Sequence, residues 1–236
     1  MSDVGGGGKG SFLLDFTAFI GHGSNMSLSR KDWFLIENVE EVESPALLIY
    51  PERVNENIRR MVALAGQPAR LRPHAKTHKL AQVAARQIAV GIKKFKAATI
   101  AEVEMLARAG AANVLLAYQP VGPNARRFLE LIAAFPQTTF ACLLDDFQAA
   151  QKLSELTQRR AGAAHPTTVN VLLDIDCGQR RTGVPPNERA IQLYQEISVL
   201  PGRSHPVRRC SNRRETTGTR RACSGWCPAM QTCCPS

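Results

Sequence analysis

From Ser44 to Gly202 the apolar positions switch repeatedly between two spacings. Short apolar runs of strand length occupy residues 45–50, 95–100, 114–118, 138–144 and 169–175, and residues 71–76 read as a further extended segment. Between them the apolar residues recur at helical spacing. In Pro51–Ala65, Val54, Ile58, Met61 and Val62 fall on one face, and Pro51 suits a first helical turn. Helices are also expected over 79–90, stopped by Gly91, and over 101–109, ending at Gly110. Three more cover 124–134, 147–160 and 187–200, the first closed by Phe135-Pro136 and the last by Pro201-Gly202. Strands that alternate with helices are parallel strands joined by crossovers. Several of these strands are apolar on both faces, as a sheet covered by helices requires. A doubly wound sheet and a (β/α)8 barrel both satisfy the pattern, and periodicity does not choose between them.

Composition changes this picture at the two ends. The chain has 236 residues and a formal charge of +10, but residues 203–236 hold seven Arg, one Glu and five of the seven Cys. The rest is mildly basic and cysteine-poor, which suits a reducing, cytoplasmic compartment. The basic excess is therefore not a field spread over a folded surface, and nucleic acid is not expected as a partner. No apolar run is long enough to cross a bilayer, so no membrane span is expected. Residues 1–25 read as a flexible leader: Gly10 separates Lys9 from Ser11, which spoils a phosphate loop, and no cleavage site completes a signal peptide. Met26 would serve equally as a start. Residues 203–236 read as an irregular Arg/Cys-rich tail. Only Cys223 and Cys227 have zinc-ligand spacing there. The tail's Arg, Pro, Gly, Ala, Cys and Thr mixture is what misread GC-rich codons yield, so we expect it to be out of frame.

Two segments carry chemistry. In Arg72-Pro73-His74-Ala75-Lys76-Thr77-His78-Lys79, a continuing strand would place His74, Lys76 and His78 on one face. A lysine so surrounded by cations, and buried, has a lowered pKa and forms Schiff bases with carbonyls. The segment ends an early strand, where barrel enzymes place catalytic groups. An ordinary basic loop is the competing reading. The second segment, Asp174 to Val184, follows a buried strand, and Gly178 and Gly183 permit tight turns there. Arg180 or Arg181 could bond an anionic oxygen. Thr99, Tyr118 and Gln119 also stand at strand ends, where capping or packing is the plain expectation.

Taken together, the Pro45-Ala46-Leu47 opening, the Arg72–Lys79 block, the 96–102 stretch and Asp176-x-Gly178-x-x-Arg181-x-Gly183 resemble the D-threonine aldolase and D-serine dehydratase family over residues 26–202. That resemblance implies a (β/α)8 barrel of the alanine racemase N-terminal type, cut short after about five βα units. It implies that Lys76 holds pyridoxal 5'-phosphate through a Schiff base, that Arg181 lies beside the cofactor's phenolic oxygen, and that His74 is an active-site neighbour. The implied reaction is retro-aldol cleavage of a β-hydroxy D-amino acid to glycine and an aldehyde. Dehydration of D-serine and cofactor binding without catalysis are the alternatives. The family also uses a divalent metal, whose ligands lie in a later β domain and are not seen here, and full-length relatives imply a homodimer. A barrel of this kind runs to about 250 residues. Residues 44–202 supply only its leading part, so low stability and little activity are expected of the chain as written.

Overall fold

The computed structural model describes residues 34–160, 169–201 and 208–211, the last four by their backbone. It divides into two compact units, Met1–Leu48 and Ile49–Ser236. In the first, the described residues form one 3-10 turn, Val39–Glu41, where the Asn38 side chain donates to Glu41 Oε2 at 3.1 Å.

The second unit opens with helix α1, Pro51–Ala65, which starts on proline and buries Ile58, with Met61 and Val62 packed on the core. There follow α2 (Ala81–Ala89), β1 (Lys94–Ala97), α3 (Ile100–Arg108), β2 (Asn113–Leu116) and α4 (Pro123–Ala134). The chain continues through β3 (Thr139–Leu144), α5 (Phe147–Arg160), β4 (Asn170–Ile175), α6 (Glu188–Ser198) and β5 (Arg208–Ser211). The five strands are parallel and stand in the order β1-β2-β3-β4-β5. This order resolves the choice that periodicity left open. A doubly wound sheet reverses its order at a switch point. Here each strand adds beside its predecessor, and right-handed crossovers then lay every helix on the same side. The result is an α/β arc with the topology of a barrel wall.

The two faces of the arc differ as that topology demands. Toward the helices point Phe95, Val114, Leu116, Phe140, Cys142, Leu144, Leu173 and Ile175, in one cluster with Val103, Leu106, Phe128 and Leu193. Phe128 meets Phe140 edge-on, centroids 6.2 Å apart. Burial in this layer pushes the Cys142 thiol up to about 12, which leaves it inert. On the opposite face a small cluster, Leu115, Ala141 and Leu143 with Ala117 and Leu172, is joined by the polar residues of the strands. Strand alternation therefore sends Lys94 and Lys96 of β1 and Asp174 of β4 away from the helices.

Three expectations are corrected. Residues 45–50 form no strand, and Leu47 is 76% exposed; an apolar run becomes a strand only where a neighbour accepts its backbone. The extended segment at 71–76 stops at His74, the one residue that bridges to Lys96, and the chain turns into a 3-10 turn over Ala75–Thr77. Arg72 secures the extended part, donating to the Phe95 carbonyl at 3.1 Å and to Asn113 Oδ1 at 2.7 Å. Finally, Arg208–Ser211, inside the segment expected to be irregular, pairs with β4 from Leu172↔Arg208 to Ile175↔Ser211. Ladder bonds need only backbone groups, so an Arg-rich sequence can make them. The leader expected at 1–25 and the cysteines from Cys223 onward lie outside the described residues. Among those that are described, no helix is long and apolar enough to cross a membrane.

Helix α3 shows how a local motif fixes a site-bearing turn. Thr99 is its N-cap, accepting from Glu102 N at 3.2 Å, while the buried Glu102 carboxylate accepts from Ala98 N at 2.7 Å. The pair satisfies two donors that the helix start would otherwise leave open. Thr99→Ala is expected to cost about 1 kcal/mol in a denaturant titration; a change within a few tenths would show that Glu102 alone holds the turn.

Candidate functional site

At the C-terminal ends of the strands lies a cavity of about 400 Å³. Its wall is built unit by unit. The turn before β1 gives His74 and Lys76, and β1 with its following turn gives Lys96 and Ala98. From β2 come Ala117, Tyr118 and Gln119; from β3, Leu143, Leu144 and Asp145; from β4 and its loop, Asp174, Arg181 and Thr182. The three residues singled out in the sequence, His74, Lys76 and Arg181, thus line one cavity.

The 3-10 turn governs the first of them. His74 caps it, Nδ1 accepting from Lys76 N at 3.3 Å, and Thr77 Oγ1 donates to the His74 carbonyl at 3.2 Å. A ring that accepts at Nδ1 carries its proton on Nε2. Burial, and then the charges of Lys96 and Lys76, hold the His74 imidazole below its ordinary pKa, against a raising influence from Glu102 and from a hydrogen bond to the Lys96 backbone. His74 is therefore neutral at pH 7. The same turn breaks the alternation expected of His74, Lys76 and His78. His78 does not line the cavity; its Nδ1 accepts from Leu80 N at 3.0 Å, and burial lowers its pKa too. Lys76 is exposed. The burial expected around its amine is absent, because the turn carries it to the cavity mouth.

The loop after β4 is shaped by glycine and by Asp176. Asp176 Oδ1 accepts from Gly178 N at 2.9 Å and Arg180 N at 3.0 Å, and these bonds keep its carboxyl below the usual range. Gly183, with φ of +92°, brings the chain back onto β4: a Cβ there would lie 2.8 Å from Asp176 N. Val184 then bonds Asp174 and Asp176 through its N–H and its carbonyl, at 3.0 and 2.9 Å. This return selects between the two arginines, since Arg181 and not Arg180 lines the cavity.

Sequence reasoning passed over two cavity residues. Asp145 follows β3 and accepts from Gly183 N at 3.0 Å through Oδ2; its signal was an acidic residue directly after the apolar run Leu143-Leu144. Lys96 stood inside a stretch noted only for resemblance; its signal was a charge alternating with buried Phe95 and Ala97. Thr99 does cap, as expected. Tyr118 and Gln119, for which capping or packing was expected, line the cavity, and the buried Gln119 Oε1 has no hydrogen-bond partner among the described residues. Asp174 is 4% exposed; its pKa is raised by burial and by the Asp145 charge, with the Thr182 hydroxyl, Lys96 and Arg181 acting against them.

These shifts predict opposite pH effects. The histidine pKa values fall on folding, so their contribution is present above about pH 6.5 and is lost as pH drops through the folded values. Asp174 has a raised folded pKa, so its contribution is present below about pH 3.8 and is lost as pH rises through the folded value. Denaturant titrations should find Asp174→Asn gaining on the wild type as pH climbs from 4 to 7. A difference independent of pH would refute the assignment.

Known proteins were compared with this arrangement. The alanine racemase N-terminal domain model matches residues 49–209. D-threonine aldolase of Arthrobacter sp is 30% identical over 162 residues, covering 68% of this chain and 41% of that protein. D-threo-3-hydroxyaspartate dehydratase of Delftia sp. (strain HT23) is 29% identical over 153 residues, covering 64% and 38%. The crystal structure of D-threonine aldolase from Filomicrobium marinum superposes with a TM-score of 0.61 at 30% identity, over 73% of this chain and 44% of that one. The chain spans about two fifths of the length of the curated relatives it matches.

Proposed function

Since the chain belongs to the alanine racemase N-terminal domain family, we propose that its cavity is the pyridoxal-phosphate site of a lyase for β-hydroxy D-amino acids, of the D-threonine aldolase type. One observation carries this reading: His74, Lys76 and Arg181 line a single cavity at the C-terminal ends of parallel strands. The cavity suits the cofactor on three counts. Its volume lies in the range of small-ligand sites. It offers an accessible primary amine for a carbonyl. Gln119 Oε1, which has no partner among the described residues, is an acceptor that a ligand's donor would satisfy.

In this reading Lys76 holds the cofactor through its amine, and Arg181 donates to an anionic oxygen on it. When bound, pyridoxal phosphate supplies an electron sink for charge that develops on the substrate. His74, neutral with its proton on Nε2, neighbours the amine without adding positive charge. Lys96 and Arg181 share the cavity lining with Asp145 and Asp174. We place the protein in the cytoplasm, with a D-amino acid as its small-molecule partner.

The test is to incubate the whole chain with pyridoxal phosphate, reduce with borohydride and map the peptides. A pyridoxyl group on Lys76 is expected. Labelling of Lys96 instead, or of no cavity lysine, overturns the reading. With D-threonine and a divalent metal supplied, glycine and acetaldehyde mark an aldolase, whereas ammonia and a keto acid mark a dehydratase.

A further inference from the structure

One carboxylate in the cavity wall, Asp145 directly after β3, has no part in the chemistry above, and it reaches the same short stretch of chain as the backbone of Asp174 in β4. Asp145 Oδ2 accepts from the Gly183 N–H at 3.0 Å, across 38 residues of sequence. The Asp174 backbone carbonyl accepts from Val184 N at 3.0 Å. Residues 183 and 184 are thus each tied to the end of a strand. Arg181 stands two residues upstream of Gly183, and before it Arg180 is exposed with a left-handed φ of 51°.

We infer that Asp145 is a positioning residue that clamps the returning arm of this loop and thereby fixes Arg181 over the cavity. The inference rests on the proposed role of Arg181 for its link to the cofactor, but the clamp itself does not. An arginine on a free eight-residue loop would sample many rotamers, and its hydrogen bond to a ligand would have to offset that lost freedom. Anchoring Gly183 and Val184 to strand ends removes part of the backbone share of that cost beforehand. A carboxylate suits the task because a hydrogen bond to a charged acceptor is stronger than a neutral one. Asp145 directly follows the strand that neighbours β4, so the clamp also sets how far the loop stands from that neighbour.

Two readouts test this. The first needs no cofactor. Trypsin cuts after Arg180 and Arg181, and mass spectrometry follows the new peptide ends. Asp145→Ala should speed these cuts roughly tenfold, the worth of one charge-assisted hydrogen bond, with cutting after Arg108 in α3 unchanged. Asp145→Asn, which keeps an acceptor oxygen for Gly183 N but not its charge, should speed them about threefold. Wild-type cutting rates in both variants, or equal acceleration at Arg108, overturn the clamp. If Asp145→Ala does not fold, Asp145→Asn decides.

The second readout is uptake of pyridoxal phosphate, followed by absorbance. Asp145→Ala should weaken it about tenfold in the wild-type background and not further in Arg181→Ala, because two residues acting through one contact are not additive. An equal loss in both backgrounds overturns the positioning role. If the wild-type chain takes up no pyridoxal phosphate, the proposed function fails, and the protease readout still decides the clamp.

Discussion

Lys76→Ala is expected to abolish borohydride trapping in the cavity and to lower any lyase turnover by a factor on the order of a thousand or more. The size follows from what the residue provides. Among the lysines near the strand ends, Lys76 and Lys96 line the cavity, and Lys76 is the one held at the mouth by the His74 cap. Removing its amine removes the covalent attachment, while Arg181 and the cavity walls remain. Lys76→Arg separates charge from attachment. It keeps a cation in place but offers no amine that condenses with a carbonyl at neutral pH, so it should be as inactive as the alanine variant. Lys96→Ala is the internal comparison and should still be labelled at Lys76. Activity of Lys76→Arg within tenfold of wild type would mean that this position acts by charge alone.

Gly183→Ala is expected to cost roughly 3 kcal/mol in stability and to displace Arg181. Two effects add. At φ of +92° any side chain is strained, and the new Cβ would stand 2.8 Å from Asp176 N and 3.0 Å from the Ile175 carbonyl carbon. Both neighbours are backbone, so neither yields by rotating a side chain. Gly178 provides the control. Its φ is +111°, yet nothing lies within 4 Å of its Cβ position. Gly178→Ala should therefore cost only the conformational strain, about 1 kcal/mol. Equal losses in the two variants, measured by denaturant titration, would show that the close approach at Gly183 is not what holds the loop.

Much of this architecture was legible in the chain. The helices at Pro51–Ala65 and Phe147–Arg160 have the expected bounds, and strands stand in all four of the apolar runs from residue 95 onward. Periodicity is a local signal, and these elements are locally determined. The strand order was not legible, because it depends on which edge each strand joins. Residues 45–50 misled for the same reason: their apolar character gives no information about a pairing neighbour. The helix expected from Lys79 starts at Ala81, since Lys79 adopts φ of 53° and His78 takes the Leu80 N–H. Of the cavity, His74, Lys76 and Arg181 were found by motif. Asp145 was not, since its role lies in a hydrogen bond to a residue far along the chain. Such a contact leaves no spacing to read.

The strict succession of strands has a consequence for how the molecule comes into being. Among the described strands, each pairs only with its immediate neighbours in chain order, so within this sheet no strand must wait for a distant partner to be synthesised. As the chain leaves the ribosome, the newest strand finds its template already in place and becomes the template for the next. Lysine 76 and its turn are laid down at the first edge, before the loop that carries Arg181 exists. The cavity is thus assembled in a fixed temporal order, with the amine present first and the guanidinium added last.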